Sequence, residues 1–146
     1  MPEDVFIRAP VAGDAADLAL LLGQLGYPAL PHSVQARLVR LHRDPRARIY
    51  LAEHGGRVCG LATVHAHDSL NRDDPSVQLT LLVVSDEARS LGIGRRLVQA
   101  AESWAIEQGA RRLVVTTAMH RAGAHVFYEK LGYQLTGRRY AKDLPA

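Results

Sequence analysis

Residues 79–104 read LTLLVVSDEARSLGIGRRLVQAAESW, and this stretch decides the fold. An apolar run ends at Val84, a turn with two glycines follows, and an amphipathic helical pattern begins inside the turn. The first turn of a helix carries backbone N–H groups without intrahelical partners, so a strand, a glycine turn and a helix together form an anion site. Gly92 and Gly94 add no Cβ that would keep a phosphate away. The stretch therefore predicts a ligand that contains phosphate.

Length and composition favour one domain over residues 1–146. Of the 146 residues, 47% are hydrophobic and 23% are charged, both near the average for globular proteins. No apolar run approaches the ~18 residues of a membrane span, and no secretory signal is visible. Cys59 is the only cysteine, which excludes an intramolecular disulfide and favours a reducing compartment. We expect a cytoplasmic protein without a membrane partner.

The charge pattern favours a small polyanion over a nucleic acid. The formal net charge is +3, and arginines are paired at 95–96, 111–112 and 138–139. A nucleic-acid-binding protein more often concentrates its charge and interleaves aromatic residues, which make up only 5% of this chain. Nucleic acid is therefore not expected as a partner.

Hydrophobic periodicity and turn residues predict an α/β domain with strands of mixed direction. Asp14 is placed to cap a helix that ends at Leu25, and Ser33 is placed to cap a second helix that ends near residues 44–45. The other predicted elements are strands over 5–8, 49–53 and 58–67, a central strand over 76–84 covered on both faces, a helix from about 94 to 108, a buried strand over 112–117, a helix over 123–132 and a final hairpin over 133–144. Residues 54–57 join two of these strands as a hairpin turn.

Three classes of phosphate-binding turn compete for the glycine stretch. A P-loop is excluded because no Lys-Ser or Lys-Thr pair follows the glycines. The dinucleotide fingerprint needs a third glycine three residues after Gly94, where Leu97 stands. The pattern that remains is R-x-x-G-x-G at the end of a buried strand, over residues 89–94.

At this point the sequence resembles the GCN5-related N-acetyltransferase (GNAT) superfamily over nearly its whole length. Residues 81–98 resemble the family's acetyl-CoA pyrophosphate loop, and HRAGAHVFYEKLGY at 120–133 resembles its second signature. The resemblance implies a single-domain acyl-CoA N-acyltransferase fold, with a mixed, mostly antiparallel sheet, a central splayed pair of parallel strands and flanking helices.

The resemblance also implies how acetyl-CoA, as co-substrate, is bound. Backbone groups of Leu82, Val83 and Val84 pair with the pantetheine arm, and Ala124 leaves room for it. The backbone of the turn cradles the pyrophosphate, although for the side chains of Leu91 and Ile93 we favour simple packing. The turn consists of Arg89, Ser90, Leu91, Gly92, Ile93, Gly94 and Arg95.

Tyr128 is the catalytic residue that the resemblance implies. A phenol stays protonated at neutral pH and can donate a proton to a departing thiolate. The alternative is that Tyr128 covers a helix face beside Ala124 and Leu131. Phe127 is expected in the core, and His125 on the helix surface.

The general base is not identified. Many relatives carry a glutamate where this chain has Gln78, and an amide accepts no proton at neutral pH. Glu53, His65, His67 and Asp68 are candidates that act through water. His65 and His67 share a strand face, but no further ligand spacing supports a metal, and none is expected.

These observations predict transfer of an acetyl group from acetyl-CoA to a primary amine of a small molecule or peptide, by direct attack. The alternative, suggested by Gln78, is an acyl-CoA-binding or sensory module with little or no turnover. Relatives commonly dimerise, so a homodimer is left open. The acidic loop over residues 68–75 can attract a cationic acceptor or can simply be solvated.

Overall fold

A computed structural model describes residues 4–89, 91–116 and 122–146 of the chain. These residues form two units, one up to Val115 and one over Thr116–Ala146, and each is described by itself. Within the described residues, the first unit contains β1 (Phe6–Arg8), α1 (Ala15–Leu25), α2 (Pro31–His42), β2 (Ala47–His54), β3 (Arg57–His67), β4 (Ser76–Val84), α3 (Ile93–Glu107) and β5 (Leu113–Val115), and the second contains α4 (Ala122–Lys130).

The first unit is built on a sheet of five strands in the order β1-β2-β3-β4-β5. All neighbouring strands are antiparallel except β4 and β5, which are parallel. The predicted mixed α/β sheet with a parallel pair is therefore confirmed, as is the hairpin at residues 54–57. Among the described residues β5 is the last strand, so the parallel pair lies at one end of the sheet and not at its centre.

Helices cover both faces of this sheet because side chains alternate along each strand. On one face, α1 and α2 bury a cluster with inward residues of β2, β3 and β4. On the other face, α3 buries a helical stripe that includes Leu97 and Trp104. The cluster under α1 and α2 consists of Leu18, Leu21, Leu22, Val34, Ile49, Leu51, Val58, Leu61 and Val83.

A bulge at Thr80 interrupts the pairing of β4 with β3. Thr63 pairs with Leu81 and Val64 pairs with Leu79, so Thr80 is the extra residue on β4. Its hydroxyl donates to the Thr63 carbonyl oxygen at 3.1 Å and also contacts the Thr63 hydroxyl. The predicted cover on both faces of β4 is incomplete: Val77, Leu79 and Val83 are buried, Thr80 is exposed, and the other residues of the strand are half-buried.

Neither of the two predicted side-chain caps forms. Asp14 does occupy the N-cap position of α1, but its side chain makes no cap hydrogen bond. It accepts two bonds from the Arg8 guanidinium, at 2.9 and 3.0 Å, and one from the Val11 N–H. The second helix begins at Pro31, two residues before Ser33, because proline suits the first helical position.

The last third of the chain departs from two predictions. The strand predicted over 112–117 forms as β5 but is half-buried and not buried, with Val114 37% exposed, and residue 117 lies outside the described residues. No strand forms over the described residues 133–146, where the hairpin was predicted. The apolar residues Leu135, Tyr140 and Leu144 are exposed there, so this segment has no buried face to stabilise a two-stranded hairpin.

Helix α3 packs unusually close to β3 at Gly60. A Cβ built on Gly60 would lie 2.9 Å from Ile93 Cγ2, 3.0 Å from Leu97 Cδ1 and 3.1 Å from Ala52 Cβ. Real Cβ contacts are almost never this short, so the glycine sets how near α3 can approach. The first turn of α3 is therefore positioned by a residue 33 places earlier in the chain.

We expect Gly60→Ala to lower the free energy of unfolding by about 1–3 kcal/mol, because the added methyl group overpacks a buried contact. Urea denaturation followed by circular dichroism measures this. Gly23→Ala is the matched control, since Gly23 lies exposed in α1 and a Cβ there meets nothing within 4 Å. The control should be neutral or stabilising by about 0.5–1 kcal/mol. Equal effects of the two substitutions would show that the close approach at Gly60 is not limiting.

Candidate functional site

The turn between β4 and α3 depends on Gly92. After β4, the Ser85 N–H donates to the Cys59 carbonyl oxygen at 2.8 Å, and a single 3₁₀ turn covers Asp86–Ala88. Gly92 then takes a left-handed conformation with φ of 73° at the N-cap of α3. A side chain there would meet nothing within 4 Å, so the backbone conformation and not crowding by the protein requires glycine. The surface over Gly92 is consequently open.

Within the described residues, the N-terminus of α3 carries backbone donors without an acceptor. The first helical bond runs from the Arg96 N–H to the Gly92 carbonyl oxygen, so the N–H groups of Ile93, Gly94 and Arg95 have no intrahelical acceptor. No described side chain caps this end, and its first turn contains no acidic residue. The helix dipole adds partial positive charge at the same place. The arrangement suits an anion.

The predicted phosphate-turn side chains fall into different environments. Arg95 is exposed, and Arg89, whose side chain is 70% exposed, forms an ion pair with Asp86 at 2.9 Å. Ile93 is 1% exposed, so its side chain packs in the core, as favoured above. Leu91 is half-buried, α3 begins one residue before the predicted Gly94, and Ser90 lies outside the described residues.

The predicted pantetheine strand pairs on one side only within the described residues. Leu82 and Val84 lie in register with β3, and the side chain of Val83 is buried in the core cluster. The parallel ladder with β5 ends at Leu79 and Val115. The strand segment 82–84 therefore extends beyond the described end of its parallel neighbour.

A polar surface lies on the first half of β4, on the sheet face that α1 and α2 cover further along. Gln78 is in register with His65 of β3 and Val114 of β5. His65 Nε2 lies 3.2 Å from Asp44 Oδ2. The predicted list of proton acceptors did not include Asp44, because nothing in the sequence connects two residues 21 positions apart. The only feature of Asp44 that the sequence reveals is that its carboxylate lies just after the second helix.

The other three candidate bases either pair with an arginine or lie at the end of a strand. Glu53 accepts a hydrogen bond from Arg8 Nε at 2.8 Å. Asp68, with its side chain 82% exposed, pairs with Arg46 at 3.3 Å. His67 is exposed at the end of β3. Among the four predicted candidates, only His65 adjoins Gln78 and has a carboxylate partner.

Tyr128 lies in the second unit, in α4, and is 8% exposed. Its ring makes edge-to-face contacts with Phe127 and Tyr133, with centroids 5.2 and 5.8 Å apart. Burial raises the pKa of the Tyr128 phenol to about 12, so the phenol is a proton donor at neutral pH. Phe127 is half-buried and not fully in the core as predicted, and Ala124 is half-buried on the same helix. The roles of Tyr128 and Ala124 toward a cofactor stay predictions.

An open cleft of about 240 Å³ lies where β4 and β5 begin. Arg112 is exposed and has no partner among the described residues, whereas Arg72 is paired with Asp74 at 3.0 Å. Hydroxyl and amide groups surround these cations, so the cleft can accept an anionic group. Its lining residues are Ser69, Asn71, Arg72, Pro75, Ser76, Val77, Arg112 and Val114.

Two further findings concern metals and membranes. Within residues 4–89, 91–116 and 122–146, no cluster of three or more His, Cys, Asp or Glu side chains could hold a metal ion. No helix in the described part of the chain has the length and apolar character of a membrane span.

The sequence is similar to several characterised acetyltransferases. It is 31% identical over 125 residues to the aminoalkylphosphonate N-acetyltransferase of Salmonella typhimurium, covering 86% of this chain and 79% of that protein. It is 32% identical over 114 residues to N-acetyltransferase 8 of Rattus norvegicus, covering 75% of this chain. The chain spans about half the length of that rat protein (50%).

Solved structures share the fold. A transcriptional regulator from Bacillus halodurans superimposes with a TM-score of 0.88 at 24% identity, covering 96% of this chain and 99% of that chain. An aminoglycoside N-acetyltransferase in complex with CoA superimposes with a TM-score of 0.84 at 20% identity, covering 97% and 95%.

A model of the acetyltransferase (GNAT) family matches residues 18–133, which include β4, the glycine turn, α3 and α4. The matched range thus includes the strand, the turn at Gly92 and the helix that the sequence analysis singled out. This chain belongs to the GNAT acetyltransferase family.

Proposed function

We propose that the protein transfers an acetyl group from acetyl-CoA to the primary amine of an acceptor. The observation that carries the proposal is the uncapped N-terminus of α3 behind the open, left-handed Gly92. Family membership supports acetyl-CoA as the donor. The N–H groups of Ile93, Gly94 and Arg95 would bind the pyrophosphate, and the exposed guanidinium of Arg95 would add charge.

The β4 backbone would hold the rest of the donor. Pantetheine contains amides, and an extended backbone that is paired on one side can hydrogen-bond to them as to an added strand. Leu82–Val84 fit this role because they pair with β3 alone among the described residues. N–H groups of the strand would also stabilise the negative charge that develops on the thioester oxygen.

The chemistry would be a direct transfer. The neutral amine nitrogen attacks the thioester carbonyl carbon, a C–N bond forms, and the C–S bond breaks. The amine loses one proton, and the leaving sulfur gains one. Tyr128 would supply that proton, since its buried phenol remains protonated well into the alkaline range.

The acceptor would be a small amine with an anionic group. The relative from Salmonella typhimurium is named for aminoalkylphosphonates. The cleft beside β4 and β5 offers the Ser76 side chain and Arg112, which has no partner within the described ranges, and both suit a phosphonate. Ser76 lies two residues before Gln78 on the same strand, so an acceptor held there would extend along the polar surface of the sheet.

The central test is release of CoA thiol with a panel of amines, with acetylated product detected by mass spectrometry. Gly92→Ala should raise the KM for acetyl-CoA about tenfold or more, because the added Cβ strains the left-handed backbone by about 1–2 kcal/mol and disturbs the anion site. Gly55→Ala is the matched control, since Gly55 also has a positive φ, of 60°, and open space around it.

The control variant should lose similar stability but keep the wild-type KM. Tight binding of acetyl-CoA without thiol release for any amine would instead support the binding or sensory module.

Tyr128→Phe should lower kcat about 100-fold or more, because a positioned general acid contributes ~10²–10⁴ to the rate. Steady-state kinetics at saturating acetyl-CoA measure the loss, and Tyr140→Phe, at an 87% exposed position, is the control. Because the phenol has a pKa of about 12, the wild-type rate should show no decline from its ionisation between neutral pH and about pH 10. An unchanged kcat in Tyr128→Phe would remove the proton-donor role.

Arg112→Ala should raise the KM for an aminoalkylphosphonate about tenfold and leave the KM for the matching alkylamine unchanged, because only the phosphonate uses the guanidinium. Arg111→Ala is the control, since the neighbouring Arg111 does not line the cleft. Equal KM changes for both amines would contradict an anionic subsite in the cleft.

A further inference from the structure

The residues beside Gln78 are candidates for the general base, which the sequence does not identify. Gln78 itself is not a base, because an amide nitrogen or oxygen takes no proton at neutral pH. His65 is the residue directly opposite Gln78 on β3. Directly opposite side chains on one sheet face have Cβ atoms about 4.5–5.5 Å apart, so the two side chains begin side by side.

Asp44 determines which imidazole nitrogen is available. Its Oδ1 accepts the Arg46 N–H at 2.9 Å, and its Oδ2 lies 3.2 Å from His65 Nε2. The Arg46 N–H and the His65 ring lower the pKa of the Asp44 carboxyl, so it is ionised and can only accept hydrogen bonds. Nε2 of the neutral ring therefore donates to Asp44, and Nδ1 carries a free lone pair.

Nδ1 is accessible. The His65 side chain is 44% exposed, and Asp44 is its only partner in the described part of the chain. The uncharged neighbours on β4 are Ser76, Gln78 and Thr80. The titratable or charged groups on the surrounding segments are Asp44, Arg46, His67 and Asp68, of which Arg46 and Asp68 pair with each other.

We propose that His65 Nδ1 is the general base of the acetyl transfer, with Asp44 as its positioning residue. The inference deepens the proposed function and rests on it. As the amine nitrogen bonds to the thioester carbon, its proton passes to Nδ1, directly or through one water held by Gln78. The imidazolium is stabilised by Asp44, as by the carboxylate of a Ser-His-Asp triad, and then releases the proton to solvent.

His65→Gln should lower kcat/KM about 100-fold or more, since a general base contributes ~10²–10⁴. It should also change the acid limb of the pH profile of kcat/KM, so that only the ionisation of the amine remains in it. Asp44→Asn should cause a smaller loss, about tenfold, and shift that limb, because the ring loses its orientation and its counter-charge. His67→Gln, on the same strand two residues away, is the matched control and should resemble the wild type in rate and profile.

A second measurement separates a base from a structural residue. An acceptor of low basicity, such as a hydroxylamine derivative, has a more acidic N–H once its nitrogen has bonded to the thioester carbon, so its proton can pass to water and the reaction depends less on a base. His65→Gln should therefore lose much less activity with it than with an alkylamine. Equal losses for the two acceptors would overturn the assignment, because damage to the fold would affect both alike.

The two proposals fail in different ways. If the wild type releases no thiol with any amine, the proposed function is wrong, and the assignment of His65 as its general base is then wrong as well. If the wild type is active and His65→Gln keeps its rate and its acid limb, only the base assignment is wrong. Calorimetric titration with acetyl-CoA, expected to give unchanged affinity in both variants, verifies that the donor site is intact.

Discussion

The close contact of α3 with β3 at Gly60 is the constraint on which the site depends. The contact leaves no space for a methyl group, so the helix axis is held near the sheet just where β4 ends. The polypeptide must then turn sharply to enter the helix, and Gly92 allows this with its left-handed backbone. Glycine is required at Gly60 because of crowding and at Gly92 because of the backbone conformation. Together they position the first turn of α3, whose N–H groups have no acceptor among the described residues.

The sequence alone predicted the elements whose bounds depend on residues that are close together along the chain. The bounds of β4 agree with the prediction residue for residue, and α3 begins one residue early. The errors at Asp14 and Ser33 arose because a side chain that can cap a helix can also bind elsewhere, and Arg8 competes for Asp14. The prediction of the final hairpin was wrong for a related reason. Its alternating pattern predicts strands, but only a neighbouring surface can stabilise them.

The parts of the candidate site also differ in whether the sequence could predict them. The glycine turn could be predicted from sequence because all of its groups belong to one short segment. The partner of His65 could not, since Asp44 reaches it only through the packing of the loop after α2 against the end of β3. That Gln78 departs from the pattern of relatives stays a prediction, and which neighbour stands beside it depends on strand register. Register is shifted here by a bulge, which periodicity does not reveal.

The Thr80 bulge also affects how the enzyme can change. With one extra residue in β4, Gln78 and Leu81 point to the same face of the sheet, although they are three positions apart. That face is polar and open before the bulge and apolar and packed under α1 and α2 beyond it. Ser76 and Gln78 on this face can therefore change at little cost in folding stability, whereas Val77 and Leu79 of the same segment are buried on the opposite face. A single strand thus combines side chains free to diversify on one face with side chains held constant by the core on the other.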